Sequence, residues 1–282
     1  MRHFGTGFAL AAMVATVLPP MALAAEDAAS VGFVNRLQQM GPAWPFARAL
    51  ALQSLVRAGQ QIIQLEALID RPFRDLQAAP ADPAQWCATM FLHINNIGCR
   101  AETGAMGTTR IALKVARSPE QPADQAYDFA FRYQPLALPS LPLAVRLIAA
   151  QGPLGTTDHE LVLAAAPAGG ARAALRLSHG PTRSALADWA MNLYLDTLGQ
   201  GRVGFSSASD AQDPQASRVG GVRGLLERNL VLCLFAIEAA ASTPALRGAA
   251  RRSTSSGCLP TFMLPSATRA SCASLICKPI WR

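Results

Sequence analysis

The sequence predicts an α+β domain, an antiparallel β-sheet packed on a long C-terminal helix, with an extra helix on its N-terminal side. Three stretches carry that expectation. In Gly221–Ala241, residues Val222, Leu225, Leu226, Asn229, Leu230, Cys233, Leu234 and Ile237 recur at three- and four-residue steps, the spacing of one helical face. In Tyr127–Tyr133, residues Tyr127, Phe129, Phe131 and Tyr133 alternate with Asp128, Ala130 and Arg132, the period of a strand with one buried face. Glu160–Ala166 and Ala171–Ser178 flank Ala168-Gly169-Gly170 and read as a hairpin. Consecutive hairpins closed by a long helix favour an antiparallel sheet with helices on one face.

The long helix is entered through Gly220 and Gly221 and stopped by Pro244. Its second half, Val231–Ala241, is apolar nearly all round, so it is buried on more than one side. It falls short of the roughly 20 apolar residues that a bilayer requires. Arg223 and Glu227 are four apart and are expected to pair along the solvated face.

Taken in order, the chain opens as a secretory signal. Arg2 supplies the positive end, Phe8–Leu18 the apolar core, and Ala22-Leu23-Ala24 a small-residue cleavage site. Residues 1–24 are therefore set apart, and export to the bacterial periplasm is expected. Residues 25–60 form a helical lead-in, with the helix itself at Pro42–Arg57 and Gly59 ending it. The main domain covers 61–241. Gln61–Asp70 is its first strand, with Ile63, Leu65 and Ala67 on one face. Two short helices follow, after Pro72 and at Pro83–Cys87, with Trp86 packing inward. Ala88–Ile97 reads as a strand running into a turn at Asn95–Gly98. Strands are then expected at Arg110–Ala116, Tyr127–Tyr133 and Leu143–Ala149, before the hairpin. Arg183–Leu198 is a helix or a mixed helix-strand segment, Arg202–Ser206 a short strand and Ser207–Val219 a polar loop.

The formal charge of +7 is concentrated at the C-terminal end. Arg247, Arg251, Arg252, Arg269, Lys278 and Arg282 lie beyond residue 241 with no acid among them. The 18 acids all lie within 25–241, where basic residues balance them. A neutral body argues against nucleic acid as a partner. Residues 242–282 also lack periodicity and caps. They read as a disordered basic tail, a membrane-surface tail or, the favoured reading, an out-of-frame stretch. In an exported chain Cys87 and Cys99 are expected to form a disulfide. Cys233 belongs to the buried stripe, and no cysteine pair has the spacing of a zinc site.

The order of strand, two short helices, antiparallel strands and long helix resembles the START-like helix-grip superfamily, which includes polyketide cyclase-like members. LEALIDRPF followed by LQAAPADPAQW looks like that superfamily's opening, with Asp70, Pro72, Phe73 and Trp86 at the matching positions. The likeness covers about 61–241. It implies a cavity between sheet and C-terminal helix that takes a lipid or another apolar molecule. Export and the added N-terminal helix depart from the pattern.

No nucleotide, zinc-protease or serine-hydrolase motif is present, and the histidines look scattered. The chain therefore reads as a binding protein rather than an enzyme, with no cofactor or metal called for. The expected ligand-contacting residues are Tyr127, Phe129, Phe131, Leu226, Leu230 and Leu234, with Arg223 or Arg228 near the mouth. An enzyme of the same fold is the alternative. It would use Asp158, His159 or Glu160 in GPLGTTDHE (Gly152–Glu160), a segment that otherwise reads as a tight turn. A third reading is an envelope structural or assembly protein with no pocket. A membrane-surface contact is compatible with the tail. The sequence names no protein partner.

Overall fold

The structure is a computed structural model and describes residues 32–43, 45–57, 60–77, 80, 82–90, 93, 95–104, 107–116, 121–138, 140–197, 203–207 and 218–242. The signal segment and nearly all of the basic tail lie outside them. Eight strands form one antiparallel sheet in the order β1-β2-β8-β7-β6-β5-β4-β3. The strands are β1 (Leu50–Arg57), β2 (Gln60–Ile69), β3 (Asn96–Thr103), β4 (Thr109–Val115), β5 (Tyr127–Pro135), β6 (Leu143–Gln151), β7 (Thr157–Pro167) and β8 (Ala173–Thr182). From β3 to β8 each strand pairs with the next, and β8 then pairs with β2. Between β2 and β3 the chain crosses to the far edge through α2 (Phe73–Gln77) and α3 (Pro83–Met90). After β8 come α4 (Ala185–Thr197) and α5 (Gly221–Ser242). This is an α+β helix-grip fold, as the resemblance implies.

Strand alternation divides the molecule in two. Ile63, Leu65, Ala67 and Ile69 of β2, Leu161, Leu163 and Ala165 of β7, and Leu175 and Leu177 of β8 face inward. They share one core with Leu226, Leu230, Leu234 and Ile237 of α5. The outward positions Leu68, Ala144, Ala164, Ala166 and Ala174 form a second cluster under Phe33 and Leu37. Those two residues belong to α1 (residues 32–39). Alanines make that outer face flat enough for a helix to lie on it.

Several local expectations are corrected. The extra N-terminal helix is present, but at 32–39 and not at Pro42–Arg57. Leu50–Arg57 is instead an edge strand, in register with β2 from Leu50↔Ala67 to Arg57↔Gln60. The two strands lie two residues apart in the chain, a hairpin spacing, and Gly59, expected to end a helix, lies outside the described residues. The strand expected at Ala88–Ile97 is also displaced. Helix α3 runs on to Met90, its start capped by Asp82 Oδ1, which accepts from the Ala84 amide at 2.9 Å. Strand β3 begins at Asn96, inside the expected turn, and its register shifts between Asn96 and Gly98. Residues 203–206 form no strand, and Ser207 makes only an isolated bridge with Arg218. Segment 185–197 is wholly helical, with Ser184 Oγ accepting from the Ala187 amide at 3.1 Å.

The Cys87–Cys99 disulfide is present, with a Cα–Cα separation of 5.3 Å. It ties α3 to β3, closing the far edge of the sheet onto the helices. The Arg223–Glu227 pair is corrected in kind. Glu227 is only 1% exposed. Its carboxylate accepts from the Phe205 and Ser206 amides at 2.9 and 3.0 Å, from the Ser206 hydroxyl at 2.6 Å and from Arg223 Nε at 3.2 Å. A carboxylate with four donors is a buried clamp holding the 203–207 loop to α5, not part of a solvated face.

Candidate ligand-binding cavity

Helix α5 packs on β2, β8, α2 and α3. Opposite β4, β5 and β7 the helix and the sheet stand apart, and a cavity of about 490 Å³ lies between them. Strands contribute Leu113, Val115, Tyr127, Phe129, Phe131, His159, Leu161 and His179, and α5 contributes Val222, Leu225, Leu226, Asn229, Leu230 and Cys233. Trp189, Leu193 and Tyr194 of α4 complete the wall. Trp189 and Leu193 are also 63% and 50% exposed, which places α4 at the mouth.

Of the residues expected at a ligand, Tyr127, Phe129, Phe131, Leu226 and Leu230 are brought together on this wall. Leu234 and Arg223 are not among the lining residues. Leu234 lies fully buried in the packed core, and Arg223 is engaged with Glu227. Arg228 does not line the cavity either, and donates to the Val203 carbonyl at 3.2 Å. The alternative set of Asp158, His159 and Glu160 is not assembled. His159 points into the cavity, whereas Asp158 is exposed and Glu160 faces Arg146 at 3.7 Å. Strand alternation separates His159 from Glu160. The reading with no pocket does not fit the void.

All three histidines among the described residues line the cavity: His93, His159 and His179. Their sequence positions gave no sign of this, because the sheet brings together residues from a loop and two paired strands. The inward alternation of β8 through Leu175 and Leu177 continues to His179, a signal that could have located it. His159 Nε2 lies 2.8 Å from Thr156 Oγ1, and His159 Nδ1 lies 3.3 Å from His179 Nε2. Phe129 meets the His159 ring edge-on, with centroids 4.8 Å apart. The turn before β7 makes room for this arrangement. A Cβ on Gly152 would sit 2.1 Å from His159 Nε2, so only glycine fits there. Asp158, at φ 50°, occupies an irregularity where one extra residue of β7 faces β8.

Burial depresses all three histidines by penalising the charged ring. His93 and His159 fall to about 4, the latter despite the opposing charge of Asp158. His179 falls to about 3, with repulsion from His159 adding to burial. All are neutral at pH 7. Cys233 is pushed up to about 12 by burial, so its thiol is not a nucleophile at neutral pH. Two further polar groups face the void without a hydrogen-bond partner among the described residues, the Asn229 amide and the Tyr127 hydroxyl. No cluster of metal-binding side chains occurs among the described residues. No helix among them is long and apolar enough to cross a membrane.

No protein-family model matches the chain, and no curated protein does. Solved structures of similar shape include a protein from Thermus thermophilus, with 12% identity, 64% of this chain and 97% of that chain covered, and a TM-score of 0.40. The ZhuI aromatase/cyclase from Streptomyces sp. R1128 is similar at 13% identity, over 70% and 98% of the two chains, with a TM-score of 0.34. Norcoclaurine synthase from Thalictrum flavum, bound to a transition-state analogue, is similar at 13% identity, over 53% and 91%, with a TM-score of 0.35. At these scores the likeness is one of element order, and no chemistry is carried over from it.

Proposed function

We propose that the protein is an exported binding protein that holds an apolar, lipid-like molecule between the sheet and α5. The observation that carries this reading is the cavity of about 490 Å³ walled by aliphatic and aromatic side chains. Its volume falls within the range of about 300–1,000 Å³ typical of small-molecule sites. Water filling a space of that size would find few polar partners on such a wall. An apolar occupant removes that mismatch. Export is supported by the pattern of residues 1–24 and by the Cys87–Cys99 bridge, which persists in oxidising compartments.

The test is to purify the protein from cells that export it and analyse it by native mass spectrometry, then by solvent extraction. An apolar molecule near one per chain is expected, or saturable uptake of Nile red by protein stripped of it. Protein with nothing to extract and no saturable dye uptake would end this reading.

A further inference from the structure

The cavity contains a hydrogen-bonded chain whose direction can be read. The Thr156 hydroxyl has one hydrogen and donates it to the Pro153 carbonyl at 2.6 Å. Toward His159 Nε2, 2.8 Å away, Thr156 Oγ1 can therefore only accept. His159 thus carries its hydrogen on Nε2, and its Nδ1 is bare. His179 Nε2 stands 3.3 Å from that bare nitrogen and must supply the hydrogen between them. In a neutral His179 the remaining nitrogen, Nδ1, is then an acceptor. It takes no hydrogen bond among the described residues, and its ring lines the cavity.

Resting on the binding reading above, we infer that the cavity selects apolar molecules bearing a neutral hydrogen-bond donor, a phenol or alcohol hydroxyl, which donates to His179 Nδ1. The surroundings disfavour charged ligands. No carboxylate is among the lining residues, so an ammonium group would be desolvated without a counter-charge. Arg183 reaches the wall, but its Nε is engaged by Asp188 at 2.5 Å, so a carboxylate ligand finds its one nearby cation already paired. A pure hydrocarbon fits the wall but leaves His179 Nδ1 unmet. The chain also ends on the Pro153 carbonyl, which passes no proton onward. Together with the depressed basicity of His179, this makes the pair a fixed acceptor that orients a ligand rather than a base that deprotonates it.

The full chain, stripped of bound molecules, would be titrated with 2-naphthol and with 2-methylnaphthalene, which differ mainly in the donor. Wild-type protein is expected to bind the naphthol about fivefold more tightly, the value of one net hydrogen bond. His179→Phe should bring the ratio of the two affinities, measured on the same variant, close to one. Equal wild-type affinities would overturn the donor selection and leave the apolar-binding reading standing. Saturable binding of neither probe would overturn both. Nitrogen-15 NMR of the wild-type histidines gives a readout independent of any variant. His179 is expected as the neutral Nε2–H tautomer at pH 7, and an Nδ1–H or doubly protonated ring would overturn the inference.

Discussion

Both faces of the sheet carry a helix, and the two contacts are built differently. On the outer face α1 lies directly on alanines, with Phe33 and Leu37 fully buried. There a buried carboxylate, Glu66, receives Arg36, Arg176 and Gln64 at 2.8 to 3.0 Å, and Arg176 also stacks over the Phe33 ring. On the inner face large aliphatic and aromatic side chains hold α5 off half of the sheet. The polar groups there, His179, Asn229 and Tyr127, are left with unmet hydrogen-bonding capacity toward a void. Small side chains beside a carboxylate that several donors share give a closed contact. Large side chains around unpaired neutral groups give an open one. Strands β7 and β8 take part in both contacts, so on them the difference lies in which residues occupy the inward and the outward positions.

The contrast breaks most sharply at Glu66. Replacing it with alanine removes the buried carboxylate that Arg36, Arg176 and Gln64 share. Removing one partner of a buried ion pair typically costs about 3–5 kcal/mol. Glu66→Ala is therefore expected to lower unfolding stability by about that much in urea, and to release α1 to proteolysis before the rest of the sheet. Arg36→Ala should cost about 1 kcal/mol, because Arg36 is half-exposed and screened by solvent. Equal losses from the two variants would mean that the cost lies in the Arg36–Glu66 pair and that Arg176 does not depend on Glu66.

A comparison within α5 sharpens the distinction. Leu234 packs in the closed part of the inner core, with no exposed surface, and Leu225 lines the void. Leu234→Ala opens a new cavity and is expected to cost about 3 kcal/mol. Leu225→Ala enlarges an existing one and removes a side chain that is only partly buried, so about 1 kcal/mol is expected. Chemical denaturation of the two variants measures the difference. Comparable losses would show that both positions are packed alike and that α5 does not stand off the sheet at Leu225.

The strongly periodic parts of the molecule were the legible ones. The helix over 221–242, the hairpin at Gly169-Gly170 and the inward residues of β2, β5 and β8 follow from periodicity, which is a local property. Edge strand β1 was not legible, because Leu50, Leu52, Leu55 and Val56 fit a helical spacing as well. What decides their state is pairing with β2, which the spacing within one segment does not show. The cavity was legible on its apolar side and not on its polar side. Phe129 and Leu230 announce themselves by pattern. His93, His159 and His179 meet only through the pairing of β7 with β8 and the turn at Gly152. Glu227 was misjudged for a related reason, since the 203–207 backbone that buries it is fixed by tertiary contact.

The two faces should also respond differently to acid, because every described histidine lies on the inner one. His93 is the cleanest case, since burial alone lowers it to about 4 and its Nδ1 accepts only from the Asn95 amide at 3.3 Å. In the unfolded chain the ring titrates near 6.5. Above that pH both states hold it neutral, and its burial carries no proton-linked penalty. As pH falls from 6.5 toward 4, the unfolded state takes up a proton that the folded state refuses, so stability is lost across that window. Between pH 7 and pH 5 the loss from His93 comes to about 2 kcal/mol. The fall in thermal stability over that range should be shallower in His93→Gln than in the wild type, because glutamine keeps an acceptor but does not titrate. Carboxylates contribute to both proteins alike and cancel in the comparison. Parallel pH profiles would place His93 in water and remove one polar corner from the cavity.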